Sequence, residues 1–123
     1  MKHNLGFETL CKAARQTVKT CSVDDVKKLL DNQQLPLLID VREESEWNHD
    51  HLPHAVHLGR GIIERDIETL VPNQETTIIL YCGGGYRSIL AAESLTKMGY
   101  RNIISMDGGY RGWKEAGYSL VKE

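Results

Sequence analysis

One short stretch carries residue types that do chemistry: Cys82-Gly83-Gly84-Gly85-Tyr86-Arg87-Ser88. It follows the apolar run Thr77-Ile78-Ile79-Leu80-Tyr81 and leads into a segment of helical periodicity. A strand–loop–helix joint of this kind turns several backbone N–H groups toward one small concavity, and the helix N-terminus adds partial positive charge there. The three glycines allow dihedrals closed to other residues and let amides turn inward as an anion-binding nest. Arg87 adds a permanent charge and a planar fork of donors. A thiol at the head of such a cradle is favoured as the thiolate, which is the nucleophile. Each unit by which a thiol's ionisation is lowered needs about 1.4 kcal/mol of preference for the anion. A partly buried helix terminus supplies up to about 2 kcal/mol of that. Cys82 is therefore the candidate nucleophile, and Gly83, Gly84, Gly85, Tyr86, Arg87 and Ser88 the candidate anion cradle. A buried cysteine beside a glycine turn is the plain alternative. The combination of nest, arginine and helix start argues against it.

The surrounding elements must bring that loop to one edge. Pro36-Leu37-Leu38-Ile39-Asp40-Val41 and Thr77–Tyr81 are continuous apolar runs of strand length, read as strands buried on both faces. Weaker strands are predicted at Thr17–Cys21, Ala55–Leu58 and Asn102–Met106. Helical spacing predicts helices over Phe7–Val18, Gly61–Leu70, Arg87–Met98 and Tyr110–Ala116. A further helix opens at Ser22, with Asp25 three residues on in a capping-box arrangement. Alternating strands and helices predict an α/β fold: a mostly parallel sheet of about five strands, flanked by helices on both faces. In such sheets ligands bind at the carboxyl ends of the strands, where Cys82 falls.

The length of 123 residues is that of one domain. We divide it into an N-terminal helical extension, residues 1–21, packed on a single globular unit, residues 22–123. A net charge of -2 gives no electrostatic reason to bind nucleic acid or an acidic membrane. No apolar run approaches the ~20 residues of a membrane span, and the N-terminus lacks a secretory apolar region. The cysteines number three, Cys11, Cys21 and Cys82. An odd count without a leader argues for a reducing, cytoplasmic setting.

With these residues in view, the sequence resembles the rhodanese-like domains. Leu38-Ile39-Asp40-Val41-Arg42-Glu43, Glu46-Trp47, His51-Leu52-Pro53 and Ala55-Val56 look like that family's first signature. Asp107-Gly108-Gly109 with Gly112-Trp113 looks like its C-terminal one. Asp50 and His54 stand where the family usually has glycines. The resemblance implies a sulfurtransferase. Cys82 would take the sulfane sulfur of a small anionic donor such as thiosulfate, becoming a persulfide. A thiophilic acceptor (cyanide, a cellular thiol or a sulfur-accepting protein) would then remove it, in ping-pong fashion. No cofactor or metal enters this scheme.

The resemblance also raises a cysteine phosphatase of the same fold. Such phosphatases have five residues between cysteine and arginine, whereas here there are four, which makes a smaller cradle. A non-catalytic binding module is the third reading, favoured if Cys82 is buried and unreactive. Asp40 and Arg42 are read as supporting residues: Asp40 either orients Arg87, or forms an Asx-turn or an ion pair with Arg42. His49, His51, His54 and His57 invite a zinc reading, but Pro53 forbids a regular helix there and no cysteine is near in sequence. Trp47 and Trp113 are read as packing residues. Tyr86 is expected at the cleft mouth or in solvent, Ser88 as a helix cap as well as part of the nest, and Cys21 in the core.

Overall fold

A computed structural model describes residues 3–122. Five parallel strands form one sheet: β1 (Lys19–Cys21), β2 (Leu37–Asp40), β3 (Val56–His57), β4 (Ile78–Tyr81) and β5 (Ile103–Met106), in the order β1-β5-β4-β2-β3. The helices are α1 (Leu5–Arg15), α2 (Val23–Asp31), α3 (Glu44–His49), α4 (Ile63–Leu70), α5 (Tyr86–Lys97) and α6 (Gly109–Glu115). Parallel pairing needs crossover connections, and here a helix lies between every two strands consecutive in the chain.

Side chains alternate across the strands, so each strand feeds two cores. Ile39, Ile78 and Leu80 pack with Ile63 and Ile67 of α4 and with Ala91, Ala92 and Leu95 of α5. Leu38, Ile79 and Tyr81 face the other way, against Val26 of α2 and Trp113 of α6. Ile63, Ile67, Ile78 and Leu80 have no exposure. Burying each such side chain contributes about 1.5–3 kcal/mol. The helix α1 lies against α5 and buries Cys11 and Ala14.

The Ser22 cap forms as expected: its Oγ accepts from the Asp25 amide at 3.0 Å, and its own amide donates to the Asp25 carboxylate at 2.9 Å. One expectation needs correction, and one helix is unforeseen. The first helix ends at Arg15, because the Thr17 amide and hydroxyl both bond back to the Ala14 carbonyl, and β1 begins only at Lys19. Helical spacing also gives no sign of α3. The Glu43 amide donates to Glu46 Oε1 at 2.9 Å, an acidic variant of the capping box that starts this short helix.

Candidate active site

Cys82 is the first residue beyond β4, at the carboxyl edge of the sheet. Its loop is stitched to the start of α6. The Cys82 carbonyl accepts from the Tyr110 amide at 2.8 Å, and the Gly83 carbonyl from the Arg111 amide at 2.9 Å. This approach requires Gly109, at φ 56°: a Cβ there would run into the carbonyl oxygens of Cys82 and Gly83. Because each trans peptide opposes its C=O and N–H, the Gly83 and Gly84 amides point away from α6. Neither has an acceptor among the described residues.

Gly85, at φ 101°, caps α5, and its amide donates to Cys82 Sγ at 3.1 Å. Ser88 does not cap the helix, contrary to expectation; it is the third residue of α5 and fully buried. The Ser105 hydroxyl donates to Ser88 Oγ at 2.8 Å. That leaves the Ser88 proton free to point at Cys82 Sγ, 3.6 Å away.

Arg87 lies beside the loop but is not a free cation. Its guanidinium grips the Glu46 carboxylate at 2.9 and 3.2 Å. The bond to Arg87 holds the Glu46 carboxyl below the ordinary range; the same bond raises Arg87. Sequence spacing does not reveal Glu46, because nothing ties it to the loop; the Glu43–Glu46 box is the available signal. Arg111 is equally hidden in the sequence. Its guanidinium lies over Gly84, where a Cβ would collide with it. Its side chain makes no ion pair or hydrogen bond among the described residues.

Asp40 does not reach Arg87. It holds Arg42 instead, accepting from the Arg42 amide at 2.8 Å and from its guanidinium at 2.8–3.1 Å. Arg42 in turn donates to the Asp50 carbonyl at 2.7 Å, and the Tyr81 hydroxyl donates to Asp40 Oδ2 at 2.6 Å. This buried network ties the ends of β2 and β4 together. Tyr110, whose amide holds the Cys82 loop, faces the Arg42 guanidinium at 4.3 Å.

A cavity of about 370 Å³ opens onto Cys82, bordered by Gly83, Gly84, Glu46, Arg87 and Arg111 and closed on one side by His3, Phe7 and Tyr86. Cys82 itself is 1% exposed, so this cavity is its route to a reactant. Tyr86 thus lines the cleft, but under the N-terminal segment: its ring lies 4.3 Å from His3 and 5.7 Å from Phe7. A second cavity of about 340 Å³ shares Glu46, Gly83, Arg87 and Arg111 and adds Arg42, His49, Asp50 and Tyr110.

Cys11 sits behind the loop, its thiol 3.8 Å from the Tyr86 carbonyl. Burial, and then the neighbouring Cys82, push the Cys11 thiol up. Cys21 is half-buried rather than core, and burial raises its thiol to about 11. His51 stacks on Trp47 at 3.5 Å and His57 bonds the Arg42 carbonyl at 2.8 Å. Trp113 is buried, with its indole N–H donating to the Ser119 carbonyl.

Comparison with known proteins places this arrangement. The Rhodanese-like domain family matches residues 22–116. The chain is 34% identical over 83 residues to the thiosulfate sulfurtransferase GlpE of Tolumonas auensis, covering 66% of this chain and 76% of that one. It is 32% identical over 97 residues to YrkF of Bacillus subtilis, whose name marks it as a candidate sulfur carrier; the match covers 79% of this chain but spans only about half, 51%, of that protein. A solved structure from Rhodopseudomonas palustris, described as a protein of unknown function and possible tyrosine phosphatase, superposes with a TM-score of 0.84 at 25% identity, covering 98% of each chain. The chain belongs to the rhodanese-like domain family.

Proposed function

Within the rhodanese-like family, we propose that this chain is a sulfurtransferase that carries sulfur as a persulfide on Cys82. The observation that carries the reading is the Cys82 sulfur itself. It accepts from the Gly85 amide and faces the Ser88 hydroxyl, and it lines a cavity edged by Arg87 and Arg111. The thiolate attacks the outer sulfur of a donor such as thiosulfate. The donor's S–S bond breaks, sulfite leaves with its electron pair, and Cys82 becomes Cys82–S–S⁻. A nucleophilic acceptor then takes the terminal sulfur and regenerates the thiolate. Cyanide serves in an assay; a cellular thiol or a sulfur-accepting protein fits the cell, and the names of GlpE and YrkF support that direction.

In this scheme the Gly83 and Gly84 amides and Arg111 meet the donor's anionic group, with Arg87 positioned by Glu46. Asp40 and Arg42 hold the strand ends and take no part in the chemistry. Three free thiols suit a reducing, cytoplasmic compartment.

Intact-protein mass spectrometry after incubation with thiosulfate tests the reading. Gain of one sulfur atom, lost on adding cyanide and absent in Cys82→Ser, supports it. No gain with thiosulfate or glutathione persulfide overturns it. The phosphatase reading has a specific observation behind it: the Rhodopseudomonas palustris protein that superposes at a TM-score of 0.84 is described as a possible tyrosine phosphatase. Against it stand the four-residue spacing from Cys82 to Arg87 and the engagement of Arg87 by Glu46. Hydrolysis of an aryl phosphate that is lost in Cys82→Ser would favour it. A Cys82 inert in both assays would leave a binding module.

A further inference from the structure

Two features of the Cys82 cavity bear on which donor it accepts. The first is charge. Arg87 and Arg111 border it, and Glu46 neutralises Arg87. With the Cys82 thiolate that attacks the donor, two arginines and one carboxylate leave no net charge. The unpartnered arginine is Arg111, on the helix whose start is bonded to the loop. The second is the wall. His3, Phe7 and Tyr86 form an aromatic cluster, with His3 and Phe7 edge to face at 5.2 Å and Tyr86 tilted against both. His3 and Phe7 precede the residues that match the family, 22–116, so two of the three rings lie outside that match. His3 Nε2 is buried there with no hydrogen-bond partner among the described residues. Buried polar atoms are rarely left so, and a ligand oxygen in the cavity would satisfy it.

We propose that His3, Phe7 and Tyr86, with Arg111 holding the donor's anionic end and Glu46 restraining the positive charge, select singly charged sulfane donors that carry an apolar or aromatic group, the organic thiosulfonate and persulfide class, over doubly charged thiosulfate. This rests on the sulfurtransferase reading above. Each positive charge neutralised at the cavity weakens a dianion about twice as much as a monoanion. The aromatic side chains lining the cavity offer an organic substituent the contact that thiosulfate lacks. For a thiosulfonate, the Cys82 thiolate attacks the terminal sulfur of R–SO₂–S⁻. The S–S bond breaks and R–SO₂⁻ leaves with the electron pair. Cys82–S–S⁻ then passes its sulfur to cyanide, giving thiocyanate and the thiolate.

The test compares kcat/KM for benzenethiosulfonate, methanethiosulfonate and thiosulfate in the full chain and in Phe7→Ala, Phe7→Leu and Arg111→Ala. The donors differ in intrinsic reactivity, so the readout is how each variant moves their ratios. Phe7→Ala should lower the benzene-to-methane ratio by roughly two- to tenfold, the worth of an aromatic contact. Phe7→Leu, which keeps apolar bulk without a ring, should lower it less and guards against a folding defect. Arg111→Ala should lower kcat/KM for all three donors. A benzene-to-methane ratio unmoved in a folded Phe7 variant, or donor kinetics unmoved in Arg111→Ala, overturns the proposal. Sulfur failing to reach Cys82 from any donor overturns the sulfurtransferase reading itself, and the selectivity proposal with it.

Discussion

Glu46→Gln isolates the electrostatic part of the site. The carboxylate binds the Arg87 guanidinium through two contacts, at 2.9 and 3.2 Å. A glutamine keeps an oxygen to accept from the Glu43 amide, so α3 retains its cap while the negative charge is lost. The side chains of the pair are 33% and 37% exposed, so water screens it. Removing one such charge changes the energy of a nearby unit charge by about 0.5 kcal/mol. A singly charged donor then gains about twofold in KM, while thiosulfate, with two charges, gains about 1 kcal/mol, or fivefold. The assay is sulfur transfer to cyanide, with KM measured for thiosulfate and methanethiosulfonate at low and high ionic strength. The gap between donors should close near 1 M salt, where the screening length is about 3 Å. Equal gains for the two donors at low salt, or a rise in KM for thiosulfate, would refute the account of Glu46 as the charge that restrains dianion binding.

Three further outcomes follow from the same geometry. Gly109→Ala places a Cβ against the Cys82 carbonyl at a positive φ, so it should cost about 1–3 kcal/mol in denaturant unfolding and reduce kcat; unchanged stability and activity would mean that the α6 stitch does not hold the loop. Asp40→Asn leaves the buried Arg42 charge without its counterion and should destabilise the fold by about 3–5 kcal/mol, read by chemical denaturation, with a loss below about 1 kcal/mol counting against a structural role. The acid limb has a definite sign. The bond to Arg87 lowers the Glu46 carboxyl from its ordinary 4.5, so this pair adds stability above that pH and loses it as the pH falls through the lower folded value. The stability gap between the wild type and Glu46→Gln should therefore shrink on acidification below 4.5, and a gap that widens there would contradict the pairing.

Much of the fold was legible because its central strands are apolar runs and most of its helices keep a clean period. Ile78–Tyr81 and Leu37–Asp40 are buried along most of their length, so hydrophobicity alone located them and implied parallel neighbours. The two misjudged segments failed for a local reason. The Val18 side chain continues the apolar spacing of α1, but Thr17 turns its hydroxyl back onto Ala14 and ends the helix first. The start of α3 rests on a glutamate at the cap position, where serine, threonine, aspartate or asparagine is the usual signal.

The site divides along the same line. Cys82, its glycines and the helix start are contiguous, and contiguity is what a sequence displays. The charges that tune the loop come from elsewhere, Glu46 from α3 and Arg111 from α6, and they reach it only through the packing of the sheet. The consequence reverses a sequence-level expectation. Along the chain, Arg87 is the cation of the cradle; in the fold it is the partner of Glu46, and Arg111 is the charge left open. The carboxylate that starts α3 also restrains Arg87, so a single residue sets both the local helix and the net charge of the cavity. A loop sequence can therefore identify the nucleophile, but the donor's preferred charge is decided by side chains that no spacing rule joins to it.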